Sequence, residues 1–223
     1  DSMSISITTA ASSVSAGADQ AVCANNAVVS LNGTVSGAGG NGQWSTSGSG
    51  TFTPSDTTLN ASYQPGSADI VSGNVQLVLS TSASCIALSD TLLLTFTPAP
   101  VVQAGSNQSV CKTGNVLLGG TVSGGATKGK WSGSGTGTFL PNDSALNATY
   151  IFSSSDTAQA SIQLFLTSAS NGNCTPVQDT LTVNILPAAS ANAGNDQAIC
   201  GTSGVQLNGS YTGAGNAFWT TSG

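Results

Sequence analysis

The stretch Asp90-Thr-Leu-Leu-Leu-Thr-Phe96 decides the fold of this chain. Leu92, Leu94 and Phe96 occupy every second position, a pattern that buries one face of a β-strand and leaves the other in water. The same phrase returns 89 residues later as Asp179-Thr-Leu-Thr-Val-Asn-Ile185. A period this long corresponds to a whole small domain, so the pattern predicts a tandem array of domains.

Other landmarks recur with nearly the same period. They are two columns of cysteine and one of tryptophan: Cys23, Cys111 and Cys200; Cys85 and Cys174; Trp44, Trp131 and Trp219. The period divides the chain into four predicted segments. These are the last strand of a preceding repeat (1–9), two complete β-sandwich repeats (10–98 and 99–187) and the first half of a further repeat (188–223).

Each repeat contains about seven short alternating segments separated by turns rich in glycine and serine, with no helical period. This pattern predicts an all-β protein of tandem immunoglobulin-like β-sandwich domains, about 89 residues each. Large aromatic side chains recur at fixed places and are predicted to form the cores. They are Trp44, Trp131, Trp219, Tyr63 and Tyr150.

The composition narrows the functional classes. Only 5% of residues are charged, against about 25% in an ordinary soluble domain, and the net charge is −6. No basic patch is available to displace counterions, so nucleic acid is not an expected partner. The chain has no histidine and no glutamate, which removes the usual general acids and bases. We therefore expect no enzyme activity, no catalytic residues, no cofactor, no metal site and no membrane span within this sequence.

The cysteines, locked to the repeat, favour disulfide bonds over buried free thiols. Zinc is a poor alternative without histidine or a close cysteine pair. One bridge per repeat is expected, Cys23–Cys85 and Cys111–Cys174, with the partner of Cys200 beyond residue 223. These bridges are predicted to tie loops at one end of each sandwich. Disulfides also indicate a secreted or cell-surface protein.

The opening of each repeat carries a family resemblance. Ala193-Gly-Asn-Asp-Gln-Ala-Ile-Cys200, then Val205-Gln-Leu-Asn-Gly-Ser210, then Trp219, resembles the start of PKD-like, immunoglobulin-fold repeats. Such repeats are common in very large surface proteins of Bacteroidota, including SprB-like gliding-motility adhesins exported by the type IX secretion system. The resemblance implies an exposed repeat region of a filament-like adhesin.

A second feature resembles the O-glycosylation signal that this bacterial group uses on exported proteins: aspartate, then serine or threonine, then a small or apolar residue. The candidate hydroxyls are those of Ser2, Thr57, Thr91, Ser144, Thr157 and Thr180. The alternative is turn chemistry, because both side chains of such a pair bond nearby backbone groups.

These observations together favour a non-catalytic stalk of an extracellular bacterial adhesin or filament, with short proline-containing joints between repeats. Expected partners are neighbouring repeats of the same chain and an unidentified extracellular surface or polysaccharide, with self-association into filaments as an option. The alternatives are a spacer in a secreted polysaccharide-degrading enzyme and a self-assembling extracellular fibre.

Overall fold

The protein is represented by a computed structural model that describes residues 2–5, 11–37, 41–81, 87–201, 204–213 and 215–222. Within these residues the regular structure is almost entirely β. Residues 2–5 form no regular secondary structure, and residues 1 and 6–10 lie outside the described residues. The predicted strand at 1–9 therefore stays a prediction.

The described residues of the first repeat form nine strands and one short helix. The strands are β1 (Ala11–Ser15), β2 (Gln20–Cys23), β3 (Val29–Ser30), β4 (Thr34–Gly37), β5 (Gly42–Thr46), β6 (Thr51–Thr53), β7 (Ser62–Gln64), β8 (Asn74–Thr81) and β9 (Ser89–Thr97), and the helix is α1 (Ser67–Ser72). Sequence periodicity missed α1 because its six residues are too few to establish a helical period.

The strands of the first repeat form two main sheets. One has the order β2-β9-β8-β5 and the other the order β3-β7-β6, with β1 paired to β4 beside them. All pairings of the four-stranded sheet are antiparallel except that of β2 with β9, which is parallel and sets Cys23 opposite Thr97. This order, with a parallel first strand against the last, is that of an immunoglobulin-like sandwich.

The second repeat reproduces this plan. Its strands are β10 (Val101–Gln103), β11 (Gln108–Cys111), β12 (Val116–Leu117), β13 (Thr121–Ser123), β14 (Lys128–Gly133), β15 (Thr138–Leu140), β16 (Thr149–Ile151), β17 (Ser161–Ala169) and β18 (Gln178–Leu186). The sheets have the orders β11-β18-β17-β14 and β12-β16-β15, with β10 paired to β13. A 3₁₀ helix (Asp156–Ala158) replaces α1. The chain is thus an all-β protein with tandem immunoglobulin-like domains.

Two compact units emerge from the packing. The first comprises Asp1–Val101, Val122–Lys128 and Ser168–Val177, and the second comprises Val102–Thr121, Gly129–Thr167 and Gln178–Gly223. Two segments of the second sequence repeat therefore pack within the first unit. None of the helices among the described residues has the length and apolar character to cross a membrane.

Alternating apolar residues of the long strands form the cores, as in Leu77, Leu79, Leu92 and Leu94, which are all fully buried. Four of the five aromatic residues assigned to the cores are buried there: Trp44, Trp131, Tyr63 and Tyr150. Together with the aliphatic strand residues they fill the space between the two sheets of each repeat.

Trp219 is the exception, since 54% of its surface is exposed. The prediction that it is a core residue is wrong for this structure. The described part of residues 188–223 contains only the paired strands β19 (Ser190–Asn192) and β20 (Ser210–Thr212). Two three-residue strands offer no opposing sheet, so the indole packs against Gly209 on one side only and stays half exposed.

Each complete repeat also holds a buried tyrosine–aspartate pair that the sequence analysis did not identify. In the second repeat the Tyr150 hydroxyl donates to Asp156 Oδ2 at 2.9 Å, and Asp156 is 0% exposed. The amides of Thr136 and Ser153 donate to the same carboxylate at 2.8 and 3.0 Å. These bonds replace the water that the carboxylate loses, without which its burial would be strongly unfavourable.

The first repeat builds the same pair from Tyr63 and Asp69, whose hydroxyl-to-carboxylate distance is 2.8 Å. Here the amides of Ser49 and Gly66 donate to Asp69 at 2.7 and 3.0 Å. The pair therefore joins the strand that carries the tyrosine, the helical turn that follows it and the glycine-rich loop after the tryptophan strand.

Alternating glycines in that loop leave room for the pair. A Cβ on Gly135 would lie 2.5 Å from both Asp156 Oδ1 and the Tyr150 hydroxyl, closer than real Cβ contacts allow. Gly48 occupies the corresponding position against Asp69. The phrase Gly-X-Gly after Trp44 and Trp131 is thus needed for close packing against the buried pair.

The hydrogen bonds of the tyrosine–aspartate pairs shift the pKa values of both partners. Burial acts to raise the pKa of Asp156, but hydrogen bonds from two backbone amides and the Tyr150 hydroxyl outweigh it and hold that pKa below its usual value. Burial, together with the hydrogen bond to Asp156, raises the pKa of Tyr150 to about 12. The pKa of Asp69 is lowered and that of Tyr63 raised by the same kinds of contact.

We expect Asp156→Asn to lower the free energy of unfolding by about 3 kcal/mol at pH 7, because an amide nitrogen cannot accept from the donors that face it. A lowered pKa stabilises the fold above the unfolded value of about 4, and this contribution is lost as the pH falls through the folded value. The difference between the variant and the wild type should therefore begin to shrink below about pH 5 and continue to shrink as the pH falls through the lowered pKa of Asp156. Urea unfolding across this range measures it.

The matched control is Asp143→Asn. Asp143 lies 3.4 Å from the Lys130 ammonium in a largely exposed ion pair, with side chains 41% and 64% exposed. Such pairs contribute less than about 1 kcal/mol, so this variant should change little. Equal losses in the two variants, or a loss at Asp156 that stays constant as the pH falls below the unfolded value of about 4, would contradict the assigned role of the buried pair.

Candidate functional site: a disulfide clasp

The feature most relevant to function is a disulfide bond. Cys23, at the end of β2, is bonded to Cys174 in the connection between β17 and β18, with the two Cα atoms 4.9 Å apart. The cysteines are separated by 151 residues and come from consecutive sequence repeats. Both lie in the first compact unit.

The predicted pairs Cys23–Cys85 and Cys111–Cys174 are therefore wrong in their partners. Because β2 runs parallel to β9, Cys23 lies beside Thr97 at the end of β9. Cys23 thus lies at the end of β9 that leads into the next repeat, where it is bonded to Cys174. That bond rules out both predicted pairs, and Cys85 lies outside the described residues.

Side-chain amides reinforce the bond on both sides. Asn25 Nδ2 donates to the Thr175 carbonyl at 3.0 Å, and the Thr175 amide donates to Asn25 Oδ1 at 3.2 Å. Asn173 Nδ2 donates to the Ala21 carbonyl at 2.9 Å. We call residues 21–25 and 173–175, with the disulfide between them, the clasp. Its two halves are joined by one covalent bond and three hydrogen bonds.

The backbone around the clasp packs tightly against the sulfur atoms. The Pro98 carbonyl oxygen lies 3.7 Å from Cys174 Sγ and 3.9 Å from Cys23 Sγ. A Cβ on Gly125 would lie 2.5 Å from both Cys174 Sγ and the Pro98 oxygen. Glycine is thus required at position 125 by the close approach of the disulfide to the backbone.

The disulfide is shielded from solvent, since Cys23 is 0% and Cys174 6% exposed. Thiol–disulfide exchange requires a thiolate to reach a sulfur atom, so burial protects the bond from small thiols. These properties are typical of a structural disulfide, in contrast to the exposed bridges that serve as redox switches.

The remaining cysteines differ from this pair. Cys111, at the end of β11, and Cys200 are both exposed and unbonded. Cys85 lies outside the described residues. Among the residues that the structure describes, no group of three or more histidine, cysteine, aspartate or glutamate side chains is placed to hold a metal ion.

The predicted glycosylation hydroxyls occupy different environments. Five of these residues are exposed: Ser2, Thr57, Thr91, Ser144 and Thr180. Thr157 is half-buried and donates its hydroxyl to the Ser154 carbonyl at 2.9 Å. Modification of these residues stays a prediction.

Two aspartates of that motif also have a structural role. Asp90 Oδ2 accepts from the Ala16 amide at 2.8 Å, and Asp179 Oδ2 accepts from the Ala104 amide at 2.8 Å. Both bonds fix the first edge of a repeat to the beginning of its last strand. The recurrence of aspartate in this column therefore has a cause that does not require a glycan.

Comparison with known proteins gives distant structural likeness only. No family model matches the chain, and no curated protein matches it. Among solved structures, the insect immune protein hemolin is 11% identical with a TM-score of 0.43, and the match covers 84% of this chain and 49% of hemolin. Immunoglobulin domains 1–5 of Sidekick-1 are 13% identical with a TM-score of 0.41, covering 83% and 40%. Titin domains I67–I69 are 11% identical with a TM-score of 0.39, covering 82% and 67%.

We expect Cys23→Ser to lower the free energy of unfolding by about 5 kcal/mol, because a cross-link that closes a loop of 151 residues restricts the unfolded chain strongly in the chain-entropy model. Guanidinium unfolding monitored by tryptophan fluorescence measures this loss, and reductant added to the wild type should reproduce it. Cys174→Ser should match Cys23→Ser, and the double variant should add little.

Cys111→Ser is the control with one exposed thiol removed, and its stability should equal that of the wild type. A loss in Cys111→Ser as large as that in Cys23→Ser would indicate a different bridge.

Proposed function

We propose that the chain is a structural, non-catalytic repeat segment of an extracellular protein, in which the clasp joins consecutive repeats by a covalent bond that carries tension past the residues it encloses. The observation that supports this most directly is the bond between Cys23 and Cys174, cysteines of consecutive repeats. A bridge within one repeat would stabilise that repeat alone. A bridge between repeats adds a covalent connection beside the polypeptide.

The mechanical consequence follows from the position of the bond. When the two ends of the chain are pulled apart, the covalent path runs from Cys23 directly to Cys174. The residues between them are bypassed and cannot extend while the bond is intact. Both long central strands of the first repeat, β8 and β9, lie inside this protected loop, as does β17.

The surface chemistry fits a load-bearing spacer better than a binding or catalytic domain. Charged residues make up 5% of the chain, and its described residues form one ion pair, Lys130 with Asp143. Stability that depends on apolar burial, buried hydrogen bonds and a covalent bond changes little with ionic strength, because salt screens mainly exposed charge pairs.

The location and wider setting form the second part of the proposal. Buried structural disulfides form and persist in oxidising compartments, which supports an extracellular position. Together with the resemblance to PKD-like repeats, this supports a place in the stalk of a long bacterial surface adhesin, where such repeats would hold a binding region away from the cell. Gliding motility, type IX export and glycosylation belong to this proposal as its most specific form.

Single-molecule force spectroscopy tests the mechanical claim. The chain is pulled from its two ends with and without reductant. Reduction should increase the fully extended length by about 500 Å, because 151 residues at about 3.3–3.6 Å each are released. The Cys23→Ser variant should show the longer extension under both conditions.

The alternatives give different lengths. Each bridge within a repeat would release only about 200 Å, since it encloses about 60 residues, so the two predicted bridges would give two separate increments of this size instead of one increment of about 500 Å. No change on reduction would mean that the repeats are not covalently joined, and would contradict the proposed function.

A further inference from the structure

Cys111 has the same backbone setting as Cys23. The parallel pairing of β11 with β18 sets Cys111 opposite Leu186, as the pairing of β2 with β9 sets Cys23 opposite Thr97. The residue after each cysteine then donates its amide to the carbonyl of that opposite residue, at 2.9 Å in both repeats. In each repeat the opposite residue is followed by a proline, Pro98 after Thr97 and Pro187 after Leu186.

The two cysteines differ in solvent exposure, and the residue two positions after the cysteine is Asn25 in the first repeat and Thr113 in the second. Cys23 is buried by residues 173–175 of the following repeat and is bonded to Cys174, whereas Cys111 is exposed and carries a free thiol. The backbone of the strand end that receives the Cys174 loop in the first repeat is thus repeated in the second repeat, where the cysteine is exposed.

We propose that Cys111 is the receiving half of a second clasp, and that its partner is a cysteine at the Cys174 position of a further copy of this repeat. This deepens the proposed function and rests on it: each repeat would be bonded to the next by the cysteine at the end of its second strand. The product is a series of disulfide bonds, each of which connects one repeat to the next; we call this series the ladder.

The segment that follows the second repeat has the same backbone turn as the corresponding segment of the second repeat. Gly213 has a φ of +71°, and a Cβ there would lie 2.6 Å from the Ala188 carbonyl oxygen. Gly124 has a φ of +73° and faces the Ala99 carbonyl in the same way. The segment that precedes a third sandwich is therefore turned like the segment that precedes the second.

Two positions depart from the pattern. Thr113 stands where the first repeat has Asn25, whose side chain forms two of the three hydrogen bonds of the clasp. Ala214 stands in the sequence where the second repeat has Gly125, the residue that contacts the disulfide. Ala214 lies outside the described residues. A methyl group at position 125 would crowd the sulfur atoms of the first clasp. The experiment therefore includes the variant Ala214→Gly.

The chemistry is the oxidation of two thiols. Cys111 and the incoming cysteine each lose one proton and together lose two electrons as the sulfur–sulfur bond forms. Oxidised glutathione accepts the electrons and protons and leaves as two molecules of reduced glutathione. The exposed Cys111 thiol is accessible to this exchange.

The test completes the third repeat. The full chain is extended after Gly223 with a copy of residues 136–186, which carries Gln159→Asn as a mass tag. The protein is refolded in a glutathione buffer, alkylated, cleaved at aspartate without reduction and analysed by mass spectrometry. We expect the peptide with Cys111 to be linked to the tagged peptide, and the peptide with Cys23 to the untagged one.

Two single variants of the extended chain serve as controls. Cys111→Ser should leave the tagged cysteine open to alkylation, while Cys200→Ser should leave the new bond intact. A further variant, Ala214→Gly, restores the glycine of the first clasp and should form the bond at least as completely.

The proposal is overturned if the tagged cysteine bonds to Cys200, or if Cys111 stays alkylatable in both the extended chain and its Ala214→Gly variant. The peptide linking Cys23 to the untagged Cys174 reports the proposed function in the same digest. Its presence without a Cys111 bond would reject the ladder alone, whereas its absence would reject the joint between the first two repeats.

Discussion

The parallel pairing of β2 with β9 is the constraint on which the architecture of this chain depends. It carries Cys23 to the end of the last strand, beside the Thr97-Pro98 exit of the repeat, instead of toward the segment that contains Cys85. From there the nearest cysteine belongs to the next repeat, and the bond to Cys174 follows. The direction of one four-residue strand thus determines whether a repeat is bonded to itself or to its neighbour.

A second constraint holds each sandwich together from within. A carboxylate with almost no solvent contact accepts hydrogen bonds from a tyrosine and from the glycine-rich loop, joining parts of the repeat that are distant in sequence. The cost of burying that charge is offset only when every donor is in place. The network therefore favours one arrangement of the loop, the tyrosine strand and the helical turn, and it is rebuilt in both complete repeats.

Much of the fold could be predicted from the sequence, because period-two alternation reports which residues of a strand are buried. The strands around Leu92 and Leu181 and the buried aromatic residues follow from it. Disulfide pairing could not be predicted in this way: both in-repeat and between-repeat bridges keep the same period, and only strand direction separates them. The buried pair was missed because Asp156 looks like a turn residue, although the recurrence of a tyrosine six residues before an aspartate, at Tyr63 and Tyr150, was a usable signal. Trp219 was predicted to be buried but is half exposed, because a side chain at a core position is buried only when the opposing sheet covers it.

The central claim is that consecutive repeats are covalently joined, and disulfide mapping of the unmodified chain tests it most directly. After alkylation of free thiols and cleavage at aspartate without reduction, the account predicts a linked pair of peptides, one containing Cys23 and the other Cys174, together with alkylated Cys111 and Cys200. A Cys23 peptide linked to the Cys85 peptide, or recovered in alkylated form, would contradict the account.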